Sequence, residues 1–191
     1  TAALVALSVF GNPQTLKMTW RGTDLGFSNA ALARNDGLLV LDEIGEANPK
    51  TISKTAYSVI NGKSKIQGAK DGGNRISQDW RILLFSTGEY SLNAYMTQTG
   101  EKWEAGQAVR LPSIPAATLH GIYENLHDFQ DGATLSEHLQ VVTQWQYGTA
   151  GRAWIEYLAK LPHERVQAAQ TVFMQTLPSL NGQARRVAKR F

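Results

Sequence analysis

The sequence predicts an α/β fold in which a doubly wound parallel sheet is followed by a helical lid. Two continuous apolar runs, Leu38–Leu41 and Ile82–Phe85, have the character of strands that are buried on both faces of a sheet. Helical patterns alternate with these runs, as they do in α/β proteins. From about Thr134 onward only helical patterns remain, with breaks near Gly148 and Pro162.

Local signals predict the other elements, because caps, turn residues and apolar periodicity mark where each one begins and ends. Thr23 or Asp24 is placed to cap a helix, and Asp71-Gly72-Gly73 is typical of a hairpin turn. The elements predicted besides the two apolar strands and the helical region are an opening helix, a strand over Thr15–Trp20, a helix up to about Arg34, a helix ending near Asn61, a hairpin over residues 63–79, a helix over Ser91–Thr99 and a strand over Val109–Ile114.

Composition narrows the class of protein. The chain has 191 residues, 42% of them hydrophobic, which is enough for one domain with a real core. Cysteine is absent, and this excludes disulfides, thiolate zinc sites and cysteine nucleophiles. Apolar runs are too short to cross a bilayer, so no membrane partner is expected and the cytoplasm is the default location. Trp145 and Trp154 are expected to pack in the core of the helical region.

Charge is unevenly distributed. Residues 61–75 carry a net charge of +3 and residues 181–191 a net charge of +4, so the rest of the chain is acidic although the total is only +3. Basic patches on an acidic body suit phosphate binding, and the alternative is that both are solvated faces. Thr1 stands at the start of a helical pattern and the basic C-terminal stretch has no stop signal, so we expect an excised piece of a longer protein.

Acidic and hydroxyl side chains follow the two apolar strands. Asp42 and Glu43 come directly after the first strand, at the carboxyl edge where open α/β sheets bind ligands. In P-loop nucleotide hydrolases such a first acid holds Mg²⁺ through water and the second orients or deprotonates the attacking water. Ser86 and Thr87 follow the second strand, where a hydroxyl can bond the attacking water or the γ-phosphate; alternatively they merely end the strand. The phosphate-binding motif G-x-x-x-x-G-K-[ST] does not occur in the 191 residues.

Several unusual short segments occur in an order that resembles the domain of unknown function 927 of phage, plasmid and genomic-island primase-helicases. The resemblance covers nearly the whole chain. Its segments are Trp20–Thr23, Asn35–Gly45, Ala56–Tyr57, Asn61–Lys63, Trp80–Arg81, Ser86–Glu89, Gly106–Gln107, Val109–Leu111, Ile114–Ala116, His120–Gly121, Tyr147–Arg152 and Arg186–Ala188.

The resemblance implies an AAA+ ATPase similar to the motors of ring-shaped helicases, with ATP and Mg²⁺ as cofactors. It divides the chain into an α/β core over residues 1–116, without the Walker A loop, and a connecting segment with the helical lid over residues 117–191. Asp42 and Glu43 match the Walker B acids, with Asp42 holding Mg²⁺ through water. Ser86 or Thr87 falls at the sensor 1 position, and Thr1 lies immediately after the missing Walker A loop or inside its end.

The resemblance also assigns roles to basic side chains. Arg110 stands where such motors place an arginine finger that reaches the nucleotide of a neighbouring subunit, which implies assembly into a ring. Arg186, or its neighbour Arg185, corresponds to the sensor 2 residue of the lid. The hairpin corresponds to one that related helicases insert into the ring channel, so its cations are expected to contact single-stranded or forked DNA. These cations are Lys63, Lys65, Lys70 and Arg75.

Two functions of different classes follow from these expectations. The first is a piece of an ATP-dependent DNA helicase or translocase motor of mobile-element replication, inactive by itself because it lacks the phosphate loop. The second is a degenerate AAA+ module that binds DNA or protein partners without ATP turnover.

Overall fold

Three parallel strands form the centre of the fold. In the computed structural model, which describes residues 1–48, 52–98, 100, 111–116 and 118–176, they are β1 (Met18–Thr19), β2 (Gly37–Asp42) and β3 (Ile82–Ser86). The strand order is β1-β2-β3, so β2 is central. Leu41 of β2 lies opposite Met18 on one side and Ser86 on the other, so that all three strands end at the same edge.

Helices surround the sheet and continue beyond it. They begin and end where caps and turn residues allow, and a short 3-10 helix over Ile44–Glu46 follows β2. The helices are α1 (Ala2–Ser8), α2 (Pro13–Leu16), α3 (Asp24–Ala33), α4 (Ile52–Asn61), α5 (Leu92–Gln98), α6 (Gly132–Val142), α7 (Thr149–Leu158) and α8 (His163–Thr176).

The two faces of β2 are both buried, as its unbroken apolar sequence predicts. Leu38 and Val40 pack with Leu7 of α1 on one face. Leu39 and Leu41 point to the other face, where a larger cluster includes side chains of α3, α4 and α5. Because successive side chains of a strand alternate between faces, this arrangement places helices on both sides of one sheet. The predicted α/β class with a parallel sheet is confirmed.

Helix α3 begins where its cap predicts. The Thr23 hydroxyl accepts a hydrogen bond from the Gly26 amide at 3.2 Å, and Asp24 lies in the first turn, where a negative charge is favourable. The Asp24 carboxylate also accepts hydrogen bonds from the Lys65 ammonium and the Thr55 hydroxyl. The bond from Lys65, followed by that from Thr55, lowers the pKa of Asp24. Asp24 therefore connects α3 to α4 and to the segment that follows α4.

Two predicted strands differ from the structure. Of Thr15–Trp20 only Met18–Thr19 is a strand, because the Asn12 side chain caps a helical turn that starts at Pro13 and extends to Leu16. Of Val109–Ile114, residues 109 and 110 lie outside the described part of the chain and residues 111–114 form no strand. Pro112 explains the second difference, since proline has no amide hydrogen for a sheet ladder.

Burial also differs from expectation at three apolar side chains. Leu83 of β3 is 53% exposed, so β3 is not buried on both faces as β2 is. Trp145 and Trp154 are 81% and 55% exposed, which contradicts their expected place in a core. Few positions of α6, α7 and α8 are buried, namely Leu135 in α6 and Gly151 in α7, so these helices offer little apolar core for either tryptophan.

The helical region is attached to α1 through its backbone. The amides of Gly148 and Gly151 donate to the carbonyls of Ser8 and Val9, at 2.7 and 2.9 Å. A Cβ at position 151 would lie 2.4 Å from the Val9 carbonyl oxygen, so only glycine allows this approach.

None of the helices in the described ranges has the length and apolar character needed to cross a bilayer.

Candidate functional site

The site predicted at the carboxyl end of β2 is built around Asp42. This residue is the last of β2, and its side chain is 30% exposed. One carboxylate oxygen, Oδ1, accepts a hydrogen bond from the Thr87 hydroxyl. The other, Oδ2, lies 3.4 Å from the Lys17 ammonium. Asp42 is thus held between a hydroxyl donor from the end of one neighbouring strand and a cation from the start of the other.

Ser86 and Thr87, which the sequence could not separate, lie in different surroundings. The Thr87 hydroxyl bonds to Asp42, whereas Ser86 lies opposite Leu41 in the register and its hydroxyl accepts the indole N–H of Trp20 at 2.8 Å. Because side chains alternate along a strand, the two hydroxyls belong to opposite faces of the sheet. Only Thr87 is therefore associated with the acidic side chain.

Glu43 has a backbone conformation that ends the strand abruptly. Its φ of 57° lies in the left-handed region, which a non-glycine residue adopts at a cost of about 1–3 kcal/mol. Ile44 beside it is buried, and its amide donates to the Thr87 carbonyl at 3.1 Å. The Glu43 side chain itself is exposed, and its carboxylate has no hydrogen-bond partner among the residues that the structure describes. The carboxylate is therefore open to solvent.

A close contact fixes the two loops that carry Glu43 and Thr87. A Cβ at Gly88 would lie 2.6 Å from the Ile44 Cγ2 atom, closer than real Cβ contacts allow. The Thr87 amide also donates to the Leu41 carbonyl at 3.3 Å, which extends the β2–β3 pairing beyond the last strand residue. Backbone hydrogen bonds, the Ile44–Gly88 contact and the Thr87 hydroxyl together set the positions of Glu43 and Thr87 relative to Asp42.

Sequence reasoning did not identify two residues of this site, Lys17 and Trp20. Trp20 is 2% exposed, and its amide donates to the Asp42 carbonyl at 3.3 Å while its indole reaches Ser86. It therefore connects the ends of all three strands. The signal for both residues was their place in the segment predicted as a strand, Thr15–Trp20, because neighbouring parallel strands end at one edge.

The hairpin predicted between α4 and β3 is confirmed. Antiparallel bridges join Lys63 to Asp79 and Gly68 to Asn74, and the turn contains Gly72 and Gly73 with φ of 90° and 77°. We refer to residues 62–80 as the hairpin.

The four cations expected to contact DNA are all exposed on the hairpin, but they differ in their partners. Lys65 forms an ion pair with Asp24, and Arg75 donates to the Gln67 side chain at 3.5 Å. Lys63 and Lys70 have no side-chain partner within the described ranges. Of these two, Lys70 lies closer to the turn.

The other predicted site residues are placed as follows. Thr1 precedes α1, and its hydroxyl accepts a hydrogen bond from the Gln140 side chain at 2.9 Å. Arg110, Arg185 and Arg186 lie outside the described residues. Their assigned roles remain predictions.

The oxygen atoms at this edge fit the chemistry of a magnesium ion. Mg²⁺ usually takes one or two carboxylates from a protein and fills its other positions with water and substrate phosphates. Asp42 and Glu43 supply two carboxylates at adjacent positions, and Thr87 adds a hydroxyl. Across the described part of the chain, no group of three or more potential metal-ligating side chains is present. At this edge the described residues thus offer Mg²⁺ one or two carboxylates, the number that it usually takes from a protein.

Comparisons with known proteins agree with this architecture. Residues 1–79, which include β1, β2 and Asp42, match the model of a family described as "Domain of unknown function (DUF927)". The match confirms the resemblance to this family over residues 1–79, and the segments of the resemblance after residue 79 lie outside it. No match to a curated protein is found.

Among solved structures, the fold is similar to "SCCmec type IV Cch - active helicase", with a TM-score of 0.66 and 22% sequence identity. The similarity covers 99% of this chain and 33% of that chain, so the present chain spans about one third of the helicase. At this identity the likeness concerns the fold: an α/β arrangement with a small parallel sheet and helices, shared with a helicase.

Proposed function

From the family match over residues 1–79 and the fold shared with a helicase, we propose that this chain is part of an ATP-driven DNA helicase or translocase motor of mobile-element replication. Its sheet is of the AAA+ P-loop type, and the motor is completed by further parts of a longer protein. Residues 1–116 form the α/β core and residues 117–191 the connecting segment and lid. The motor works in the cytoplasm as a ring on single-stranded or forked DNA.

The observation that carries this proposal is the arrangement at the end of β2. A partly exposed Asp42 accepts a hydrogen bond from Thr87, and an exposed, unpaired Glu43 follows it. ATP hydrolysis needs few covalent steps from the protein, which must position a water and stabilise charge on the transferred phosphoryl group. A carboxylate for Mg²⁺, a second carboxylate for the water and a nearby hydroxyl are suited to that task.

Each side chain has a separate role in this proposal. Asp42 holds Mg²⁺ through water, and Glu43 orients the attacking water and accepts its proton. Thr87, rather than Ser86, is the sensor 1 residue, because its hydroxyl is on the side of Asp42. Mg²⁺ bound there would neutralise part of the negative charge on the phosphate oxygens. Thr1 lies beside the phosphates, Arg110 reaches the nucleotide of a neighbouring subunit, and the lid contributes Arg185 or Arg186.

A pair of hydroxyl deletions tests the catalytic part of the proposal. In the full-length protein, we expect Thr87→Val to lower the ATP turnover number by about ten- to a hundredfold, the value of a hydrogen bond to a charged group. Ser86→Ala removes the other hydroxyl and should lower turnover by less than about threefold, although it leaves the buried Trp20 N–H without its partner. Turnover and nucleotide affinity are measured separately. Equal losses in both variants would contradict the assignment of Thr87.

If the full-length protein does not hydrolyse ATP, the alternative function applies, which is a degenerate AAA+ module. In that case the full-length protein binds DNA or partners without nucleotide turnover, and neither hydroxyl deletion changes DNA binding. The sequence of the longer protein gives a second check, because a motor needs G-x-x-x-x-G-K-[ST] ahead of α1.

The hairpin supplies a prediction about DNA. Lys70→Ala is expected to weaken binding of single-stranded DNA to a similar extent for every base sequence, and to reduce the slope of log K against log salt by about 0.7. The reason is that an exposed cation without a side-chain partner contacts phosphates, which carry no sequence information. Fluorescence anisotropy over a salt series measures both effects. A loss confined to one base sequence would contradict backbone contact.

Lys65→Ala provides the matched control for this prediction. Lys65 lies on the same hairpin, but its ammonium is bound to Asp24. We therefore expect this variant to change the salt slope less than Lys70→Ala does.

A further inference from the structure

Lys17 is the cation nearest to the acidic site in the described part of the chain, and none of the roles given above uses it. It follows α2 and directly precedes β1, the strand beside β2. Its ammonium lies 3.4 Å from Asp42 Oδ2, and the two side chains are 37% and 30% exposed. Because Thr87 bonds to Oδ1, Lys17 occupies the oxygen of Asp42 that Thr87 leaves open.

We propose that Lys17 competes with the divalent cation for Asp42 and so sets the metal concentration at which the site fills. The inference rests on the proposed function, which places Mg²⁺ at Asp42. A carboxylate oxygen that is ion-paired to an ammonium has fewer lone pairs and less negative potential to offer a metal or its water ligands. Metal entry at Oδ2 therefore requires that the ammonium moves away.

The structure makes this exchange feasible. Lysine carries its charge on a flexible four-carbon stem, and a half-exposed lysine regains hydration when it leaves its partner. Ion pairs with such exposure are weak, so Lys17 lowers the affinity of Asp42 for the metal without preventing metal binding. When it is displaced, Lys17 remains beside the edge where the phosphates are expected, and its charge is then available to them. A neutral side chain at position 17 would lack both effects.

The test uses Mn²⁺ alone as a paramagnetic probe of the 191-residue chain without nucleotide. Nuclear magnetic resonance follows the broadening of the backbone amide signals of Ile44 and Thr87, which flank Asp42. We expect Lys17→Met to lower the Mn²⁺ concentration for half-maximal broadening by about two- to fivefold, the range that half-exposed ion pairs give. Lys17→Gln is a second neutral variant, and a thermal melt of each variant establishes that it is folded.

Two control variants separate position from charge. Lys17→Arg keeps a cation beside Asp42 and should retain the wild-type midpoint. Lys160→Met removes the same charge from an exposed position in the helical region and should also leave the midpoint unchanged. The inference is overturned if both neutral variants at position 17 titrate like the wild type, or if Lys160→Met shifts the midpoint as much as they do.

Asp42→Asn distinguishes the inference from the proposed function. If this variant no longer shows broadening while Lys17→Met equals the wild type, the metal site at Asp42 stands and the competition by Lys17 is wrong. If Asp42→Asn broadens at the wild-type Mn²⁺ concentration, the metal does not bind at Asp42, and the metal role in the proposed function fails together with the inference.

Discussion

Glu43→Gln in the full-length protein is expected to lower ATP turnover by about 10²- to 10⁴-fold, the contribution of a positioned general base. Nucleotide binding should be retained, because the glutamine amide has almost the same size and the Asp42 metal ligand is unchanged. Single-turnover hydrolysis and equilibrium binding of labelled ATP separate the two quantities.

The local structure explains why this effect should be confined to chemistry. The Glu43 carboxylate is exposed and unpaired within the described residues, so its exchange removes no structural hydrogen bond. The left-handed backbone at Glu43 is held by its neighbours, since Ile44 is buried and packs against Gly88. Loss of the proton acceptor should therefore leave the loop in place.

Glu46→Gln is the matched control for this experiment. Glu46 is also exposed, ends the same 3-10 helix and donates its amide to the Glu43 carbonyl at 3.0 Å. The same change of charge at this position should leave turnover within about twofold, as expected for a surface substitution. Unchanged turnover in Glu43→Gln would refute the role of Glu43 as the base, and an equal loss in both variants would indicate an effect of net charge.

Trp20→Ala is expected to lower the free energy of unfolding by about 3–5 kcal/mol, the cost of removing a large buried aromatic side chain. Trp20 is 2% exposed, its ring lies 5.8 Å from that of Phe27, and its indole donates to Ser86. Trp20→Phe keeps most of the apolar volume but loses the donor, so it should cost about 1 kcal/mol for the hydrogen bond plus a smaller packing loss. Urea unfolding followed by circular dichroism measures both variants.

Trp145→Ala tests whether burial of the side chain is the cause of the expected loss of stability in Trp20→Ala. Trp145 is 81% exposed, so the same substitution should change the free energy of unfolding by no more than about 0.5 kcal/mol. A similar decrease in the free energy of unfolding for Trp20→Ala and Trp145→Ala would contradict this explanation.

The fold of the sheet could be predicted because its strongest signals are local. The run Leu38–Leu41 is apolar at every position, and Thr23 caps α3 with its own side chain. The turn of the hairpin needs residues with positive φ, which Gly72 and Gly73 provide. Asp42 and Glu43 could be named for a similar reason, since their position follows directly from the end of a strand.

The other features depend on contacts between distant parts of the chain. Nothing near Ser86 or Thr87 indicates which hydroxyl faces Asp42, because this depends on the register of β3 against β2. The exposure of Trp145 depends on how α6 and α7 pack, and their apolar content alone suggested a core. Lys17 was missed because its partner is 25 residues away and belongs to another strand.

The attachment of α1 has a mechanical consequence. The helical region holds this helix at both ends, through Gln140 at Thr1 and through Gly148 and Gly151 after Ser8. Between these points the buried face of α1 packs on β2. A shift of the helical region relative to α1 would break these hydrogen bonds, so we expect the two to move together. We expect such a displacement to reach β2 through the apolar contact of α1 with Val40, two residues before Asp42.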